Sequence, residues 1–367
     1  MLNNLTGILS PKNSGIGLEI NPQQINIAQM SKQGQQYKLL KNVSKEVPEG
    51  VYEDGQIVDS LTLAELIKET LKENRISAKK VATAVPMREA VIRIIPVPAE
   101  LDEQELRDMV LVHEASLYLP YPREEVDLDY LKLGYFMDKD GIEKVNVLLV
   151  ATRREVTDLY LEVFQQADLQ VDVLEINSFA LIRTIREQLR QYGSKEAVVL
   201  VDLEFDSTEI AIIVEGVPQF SRTVPIGTYQ MRNELSEAMG LPVSRDTDLL
   251  KEMSLIDNSK DSGDAETSQL NPGMSALLKI LGELIDELGR SINFYLNQSE
   301  DLEVSQLLLA GPGAVIGQID EFFTQRLNIP TMRIDPVTAL ALDANQNISA
   351  VQRPSLGIVL GLGMREV

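Results

Sequence analysis

Three short apolar segments joined by tight turns occur twice in this chain of 367 residues. The first copy lies between Gly15 and Leu40, and the second lies between Ala197 and Ile226. Turn-forming residues such as Asn, Pro, Gly and Asp separate the segments, a pattern that predicts a three-stranded antiparallel meander. The first strands of the two copies end at acidic residues, Glu19 and Asp202. Two copies of one unit, half a chain apart, predict an α/β protein with two similar lobes.

Amphipathic helices follow each copy, with apolar residues at helical spacing from Leu63 to Leu71 and from Leu277 to Ile292. Between the lobes, the segment from Pro86 to Thr152 predicts a separate unit of one strand, an amphipathic helix and two further strands. The acidic segment 257–273 has a single large apolar residue, Leu270, and predicts a flexible surface loop. We therefore expect a first lobe at 1–85 and 153–195, an insertion at 86–152, and a second lobe at 196–367 that contains the loop 257–273 and a C-terminal segment.

Composition excludes several classes of function. The formal net charge is −22, and because nucleic-acid binding requires clustered Lys and Arg, we expect no nucleic-acid partner. The chain has no cysteine and one histidine, His113, which excludes disulfides, thiolate catalysis and nearly all zinc sites. Since His113 falls on the apolar stripe of the inserted helix, we expect it in the core or at its boundary. No apolar run approaches the ~18 residues of a membrane span, so we expect a cytoplasmic protein.

The strand-to-turn sequence LLLAGPGAVIG, which begins at Leu307, is the strongest local motif. Glycines such as Gly311 and Gly313 let the backbone approach a ligand, and the N-terminus of a following helix favours an anion or the edge of a base. The alternative is a tight turn that requires positive φ and binds nothing. The sequence leaves both interpretations open.

Charged residues at strand ends and on the long helix form further candidates. Glu19 and Asp202 would hold a hydrated Mg²⁺ between them if the two meanders face each other, since Mg²⁺ is usually bound by one or two carboxylates plus phosphates. Alternatively, each carboxylate caps its own turn. Glu287 and Arg290 are spaced i and i+3 on the long helix, which is also the spacing of an ordinary exposed ion pair.

Six further segments are informative as a set. They are PMREAVIRIIPVP from Pro86, EASLYLPYPREEVDLDY from Glu114, VLLVATRREVTDLYL from Val147, VLEINSFALIRT from Val173, ELGRSINFY from Glu287 and GPGA from Gly311. Together these segments resemble the PilM family of type IV pilus assembly proteins. The resemblance extends over nearly the whole chain, and the middle segments are specific to that family.

The resemblance implies an α/β fold of the actin-like ATPase class, with two lobes of ribonuclease-H-like topology and with 86–152 as the FtsA-type 1C subdomain. It implies a cytoplasmic protein, peripheral to the inner membrane, that binds ATP and Mg²⁺ between the lobes. It also implies that the N-terminal cytoplasmic peptide of PilN docks in a groove between 1C and the first lobe, subdomain 1A. Through PilN and PilO, such a protein links the membrane platform to the assembly motor, so membrane association would arise only through partners.

Matching the family's nucleotide site to this sequence gives candidate residues. They are Glu19 in the first phosphate segment, Asp202, Ser207 and Thr208 in the second, with Asp202 also as the metal ligand, and Glu287, Arg290, Gly311 and Gly313 near the ribose and base. The first phosphate segment lacks the usual glycine and lysine and contains Asn21 and Asn26. In the second, Glu204 replaces a glycine and places a carboxylate where backbone amides would face a phosphate. We therefore predict weak or lost nucleotide binding and no useful ATPase activity.

Two classes of function follow from these observations. The first is an adaptor with no catalytic residues, in which a peptide groove is formed by Val91, Ile92, Arg93 and Ile94. The alternative is an enzyme, either a nucleotide-hydrolysing actin-like ATPase or a sugar-kinase-like phosphotransferase, which needs phosphate-binding amides, a cation and a positioned base. The missing glycines and lysine favour the adaptor.

Overall fold

The computed structural model describes residues 15–34, 36–53, 55–255, 271–299, 301–342 and 348–367. In these ranges the strands are β1 Ile16–Ile20, β2 Gln24–Gln33, β3 Gln36–Glu46, β4 Tyr52–Glu53, β5 Gln56–Ile57, β6 Lys80–Val85, β7 Ala90–Pro98, β8 Val126–Met137, β9 Glu143–Arg153, β10 Gln170–Ile176, β11 Glu196–Leu203, β12 Thr208–Val214, β13 Val217–Val224, β14 Glu303–Ala310 and β15 Thr331–Arg333. The α-helices are α1 Ser60–Glu73, α2 Glu103–Asp108, α3 Ala115–Tyr118, α4 Arg154–Gln166, α5 Asn177–Thr184, α6 Arg186–Leu189, α7 Thr228–Met239, α8 Pro272–Leu296, α9 Ile319–Leu327, α10 Pro336–Ala339 and α11 Gly357–Gly363.

Two five-stranded sheets share one topology. The strand order is β3-β2-β1-β6-β10 in the first sheet and β13-β12-β11-β14-β15 in the second. In each sheet the three meander strands are antiparallel, and the two later strands add in parallel beside the first meander strand. This is the ribonuclease-H-like arrangement, and it confirms the duplicated α/β architecture predicted from the repeated meander.

Helices cover both sheets and explain why their central strands are apolar on both faces. All residues of β1 are buried, and in β11 the residues from Ala197 to Leu203 are buried. Helices α1 and α4 pack together over the first sheet, while α7, α8 and α9 pack over the second. The predicted apolar face of α1, including Leu63 and Ile67, is buried in the first core.

The C-terminal helix joins the two lobes instead of belonging to the second. Helix α11 packs against α5 and β1, and its apolar side chains share a core with residues of the second sheet. The helices approach closely because of glycine, since a Cβ on Gly361 would lie 2.0 Å from the carbonyl oxygen of Ala180. The range 196–367 therefore does not belong wholly to the second lobe, because α11 contacts both lobes.

The insertion forms its own three-stranded sheet in the order β7-β9-β8, with an amphipathic helix packed on one face. That helix is not α-helical throughout, because a π-helical segment, Met109–Glu114, separates α2 from α3. A π-helix has more residues per turn than an α-helix. Residues spaced for one face of an α-helix therefore do not share a face in this segment. His113 is accordingly exposed, so the expectation of a core or boundary histidine is wrong.

Part of the predicted acidic loop, 257–270, lies outside the described residues. Its last residues do not continue a loop: Asn271 accepts a hydrogen bond from the backbone N–H of Gly273 and caps α8, which begins at Pro272. Among the residues that the structure describes, no helix combines the length and the apolar character needed to cross a bilayer.

Candidate functional site

The two meander turns meet in a cleft between the lobes. The β1–β2 turn and the β11–β12 turn line a cavity of about 30 Å³, close to the volume of one water molecule in the liquid. Glu19 lies on the wall from the first lobe, and Glu204 and Ser207 lie on the wall from the second. The two meanders therefore face each other, as a site shared between them requires.

The backbone amides of the first turn are already bonded to a side chain. Asn21 Oδ1 accepts hydrogen bonds from the backbone N–H groups of Gln23, at 3.0 Å, and Gln24, at 2.8 Å. Backbone amides in such turns are the groups that bind phosphate. Here they donate to the Asn21 side chain instead. Asn26, at the position where the resemblance implies a lysine, is buried and donates from Nδ2 to Glu19 Oε2 at 3.3 Å.

Carboxyl groups crowd the floor of the cleft. Burial raises the pKa of Glu19 to about 7, against the lowering effect of its hydrogen bonds from Asn26 and Asn21. Burial likewise raises the pKa of Glu209 to about 7. The pKa values of Asp202 and Glu204 lie well above their usual ranges because of burial, with repulsion from neighbouring carboxylates as a further cause.

These carboxyl groups disfavour phosphate binding in the cleft. The Glu204 side chain is a hydrogen-bond partner of Asp202, which requires a proton on one of the two groups. Asp202 Oδ2, Glu204 Oε2 and Glu209 Oε2 are buried without a hydrogen-bond partner. A phosphate would have to be desolvated beside these buried groups, and any of them that is ionised would repel it. No group of three or more acidic or histidine side chains within the described ranges has the geometry of a metal site.

Side chains of the first lobe reach directly across the cleft. Arg88, between β6 and β7, donates from one guanidinium nitrogen to Asp206 Oδ2 at 2.8 Å and from another to the Tyr52 hydroxyl at 3.2 Å. The neighbouring backbone N–H of Met87 donates to Glu209 Oε1 at 3.0 Å. The Arg88–Asp206 pair is largely shielded from solvent, with side-chain exposures of 21% and 24%. The Arg88 guanidinium is thus paired with a carboxylate of the opposite lobe.

A second contact closes the rim of the cleft. Arg245, from the second lobe, donates to the backbone carbonyl of Pro22 in the β1–β2 turn. Its guanidinium lies 5.6 Å from the centre of the Phe205 ring, a cation–π contact. The turn that would bind phosphate in the first lobe is therefore held against the second lobe by the protein's own side chains.

The glycine turn is shaped by packing. Gly311 has φ of +81°, and a Cβ there would lie 2.5 Å from Asp202 Oδ1. A 3₁₀ helix, Pro312–Val315, follows the turn, and α9 begins only at Ile319. The predicted helix therefore follows the turn, but the N-terminus of α9 does not lie at the glycines, so its dipole is not available to a ligand there. A Cβ on Gly313 would lie 2.6 Å from Leu203 Cβ.

The remaining nucleotide-site candidates have partners of their own. The buried Thr208 hydroxyl donates to the carbonyl of Ile226 at 2.6 Å. The Ser207 hydroxyl donates to Asp206 Oδ1 at 3.2 Å.

On α8, Glu287 is paired with Arg290, one turn further along the same helix. Glu287 also accepts a hydrogen bond at 2.7 Å from Arg222 of β13. This is the ion-pair arrangement that the i, i+3 spacing permits, and the role of Glu287 and Arg290 at a ribose or base stays a prediction.

A much larger cavity, of about 850 Å³, lies between the inserted sheet and the first sheet. We call it the strand-edge groove. Strands β8, β9 and β10 and helices α4 and α5 line it, and the turn between β12 and β13 from the second lobe closes part of it. Its apolar side chains include Leu131, Val150, Leu161 and Phe179.

Two unpaired strand edges face this groove. Strand β10 is at the edge of the first sheet, and β8 is at the edge of the inserted sheet. Six consecutive residues of β10, 171–176, and five consecutive residues of β8, 127–131, line the cavity. Side chains alternate between the faces of a strand, so consecutive lining residues indicate that the backbone edge itself borders the groove. Such edges offer free N–H and C=O groups to an extended peptide.

The groove does not contain the residues that sequence reasoning selected for it. Val91, Ile92, Arg93 and Ile94 lie on β7, at the other edge of the inserted sheet, beside β13. Arg93 is exposed, and Ile92 and Ile94 pack into the core of the first lobe. The apolar run of β7 indicated a buried strand correctly, but apolarity alone does not distinguish a core strand from a groove wall.

The duplicated sheets and the cleft between them define a protein with the actin-like fold, into which a three-stranded sheet is inserted. A family model described as "Type IV pilus assembly protein PilM" matches residues 17–367. The chain belongs to this family.

Solved structures with the same fold include three that match along most of their length. The PilM-PilN type IV pilus biogenesis complex is 24% identical with a TM-score of 0.80, covering 97% of this chain and 99% of that one. The ethanolamine utilization protein EutJ from Carboxydothermus hydrogenoformans is 13% identical with a TM-score of 0.51, covering 96% and 90%. MreB 5 of Spiroplasma citri, bound to AMPPNP, is 12% identical with a TM-score of 0.50, covering 90% and 96%.

Proposed function

We propose that this protein is a cytoplasmic adaptor of the type IV pilus assembly platform that docks the N-terminal cytoplasmic peptide of PilN in the strand-edge groove. The observation that carries the proposal is the groove itself: about 850 Å³ of largely apolar space bordered by two unpaired strand edges. Its volume is in the range of ligand-binding pockets. An extended peptide can hydrogen-bond to a strand edge while its alternate side chains enter apolar pockets.

Membership of the PilM family supports this assignment, as does similarity to a structure whose title names a PilM-PilN complex. In this role the protein reaches the inner membrane through PilN. It connects PilN, and through it PilO, with the assembly motor. The groove belongs to the insertion, 86–152, and to the first lobe, 1–85 and 153–195, while the second lobe from 196 contributes the β12–β13 turn.

Nucleotide binding is weak or lost in this proposal, and the protein is not an ATPase. Asn21 occupies the amides of the first turn, and Glu204 brings a buried carboxyl group to the second. Gly311 and Gly313 approach Asp202 and Leu203 so closely that they have a packing role. Calorimetry with Mg-ATP is expected to detect no low-micromolar affinity. Such an affinity, or ATP turnover at the rate of a motor, would contradict the proposal.

Peptide binding tests the groove directly. The experiment uses fluorescence anisotropy with the labelled PilN N-terminal segment from the same organism. Leu131 lines the groove and is 61% exposed, so Leu131→Asp should leave the fold intact. We expect it to weaken binding at least about tenfold, because a carboxylate would be desolvated against the peptide. Leu241→Asp, an exposed position in the second lobe, is the control and should bind as the parent does. Equal affinities for the parent and Leu131→Asp would refute the assignment.

A further inference from the structure

Most carboxylates of the strand-edge groove are neutralised by basic side chains. Asp172 Oδ2 is 2.6 Å from Lys80 Nζ, and Asp127 Oδ1 is 3.4 Å from Arg154 Nε. Asp129, on β8, differs from both. It is exposed and lines the groove. Its carboxylate accepts a hydrogen bond at 2.8 Å from the backbone N–H of the next residue, and no cation of the described chain pairs with it.

The β10 side of the groove carries the opposite charge. Glu175 is buried and accepts two hydrogen bonds from Arg183, at 2.7 and 2.6 Å. Arg365, next to the C-terminal helix, donates to the same carboxylate from Nε at 3.1 Å and from a terminal nitrogen. Two guanidinium groups on one carboxylate leave a net positive charge. Of the two arginines, Arg365 lines the groove, and its side chain is 41% exposed.

Arg365 is held ready to bind an acceptor. Glu175 fixes the guanidinium through Nε and one terminal nitrogen, and the other terminal nitrogen has no hydrogen-bond partner in the described ranges. A guanidinium that is already oriented loses less entropy when it binds a carbonyl or carboxylate. Removing Arg365 would leave Glu175 with its two hydrogen bonds from Arg183, so the core does not depend on Arg365.

We infer that Asp129 and Arg365 are specificity residues of the strand-edge groove. The bound segment carries a Lys or Arg side chain that pairs with Asp129, and it presents a backbone carbonyl to Arg365. The groove thus favours an extended, apolar segment with a basic residue at the point that faces Asp129 over one with an acid there, and the two opposite charges set the position of the segment along the strand edges. This inference rests on the proposed function, because it concerns the ligand of the same groove.

A double-mutant cycle tests the Asp129 contact. The probe is the PilN N-terminal segment of the same organism, with each Lys and Arg replaced in turn by Gln, titrated against the parent protein and Asp129→Asn. One replacement should weaken binding to the parent about tenfold and have little effect on Asp129→Asn, as expected for the loss of a charge-assisted hydrogen bond. Asp140→Asn, an exposed acid at the hairpin tip outside the groove, is the matched control and should behave as the parent.

Arg365→Gln should lower affinity about tenfold for every peptide in the series, because a backbone carbonyl is present in all of them. Arg186→Gln, an exposed arginine outside the groove, should change nothing. Binding by the parent without any coupling to Asp129, unchanged affinity in Arg365→Gln, or a binding segment without Lys or Arg would overturn the inference while the proposed function stands. Failure of the parent to bind the unmodified segment would instead refute the proposed function.

Discussion

Replacing Glu209 by glutamine removes one ionisable group from the floor of the cleft while keeping its shape. Glu209 is 5% exposed, its Oε1 accepts from the Met87 backbone N–H at 3.0 Å, and its Oε2 has no hydrogen-bond partner. In Glu209→Gln the amide oxygen can keep the bond to Met87, and the amide nitrogen takes the place of the unpartnered oxygen. The variant therefore isolates the effect of the buried charge.

The size of the effect follows from the pKa. Burial raises the pKa of Glu209 from 4.5 to about 7, so the folded state binds the proton more tightly than the unfolded state. The contribution of protonated Glu209 to the free energy of unfolding is fully present below pH 4.5 and is lost as the pH rises through 7. The loss is about 3 kcal/mol in total, and most of it develops between pH 5 and pH 8. Burying the amide group costs about 1 kcal/mol, which is subtracted from the roughly 3 kcal/mol that the variant avoids losing. Glu209→Gln should therefore be about 2 kcal/mol more stable than the parent at pH 8.

Urea denaturation at pH 5, 6, 7 and 8 measures the free energy of unfolding of both proteins. The parent should lose stability as the pH rises from 5 to 8, since the pKa of Glu19 is raised to about 7 as well, and Glu209→Gln should lose less. Glu237→Gln, an exposed position on α7, should follow the parent. The presence of buried, largely protonated carboxyl groups in the cleft would be refuted by either of two results. One is a parent whose stability is constant or increases over this range, and the other is a variant whose stability changes with pH as steeply as that of the parent.

Two further predictions concern the contacts that close the cleft. Gly311→Ala should lower the free energy of unfolding by at least about 2 kcal/mol in urea denaturation, because φ is +81° and the new Cβ would lie 2.5 Å from Asp202 Oδ1. Gly141→Ala has similar φ, +75°, but open space around it, so it should cost only about 1 kcal/mol; equal costs would contradict the packing role. Arg88→Ala should lower the free energy of unfolding by about 2–3 kcal/mol, because it removes the hydrogen bonds from Arg88 to Asp206 and to the Tyr52 hydroxyl and leaves the Asp206 carboxylate without its cation. A thermal unfolding midpoint within 1 °C of the parent's, on the order of 0.8 kcal/mol or less for a chain of this length, would show that the contact across the lobes does not stabilise the fold.

Local sequence patterns predicted the two-lobed α/β architecture because they coincide with single structural elements. Alternation of apolar runs and turns predicted both meanders, and the structure pairs them as β1–β2–β3 and β11–β12–β13. The position of α11 could not be predicted in the same way. It depends on contacts with Ala180 and with β1, which are distant in sequence, and an apolar, glycine-rich helix fits either lobe.

Candidate sites were harder to predict because they depend on partners from different elements. Glu19 and Asp202 were found from their positions at strand ends, whereas Glu209 and Arg88 carry no local signal. Their roles depend on the approach of the two lobes, which places Met87 beside Glu209 and Arg88 beside Asp206. A peptide groove between the insertion and the first lobe stays a prediction; the cavity that lies there has strand edges as walls, and which strand lies at an edge is a property of sheet order.

Hydrogen–deuterium exchange with and without the PilN N-terminal segment tests docking at the strand edges most directly. We predict that the segment slows exchange of backbone amides within β10, residues 170–176, or β8, residues 126–131, because edge N–H groups that face the groove become hydrogen-bonded to the peptide. Amides of β7 and of the two interlobe turns should exchange as before. Protection confined to β7 or to the interlobe cleft, with β8 and β10 unchanged, would contradict peptide docking in the strand-edge groove.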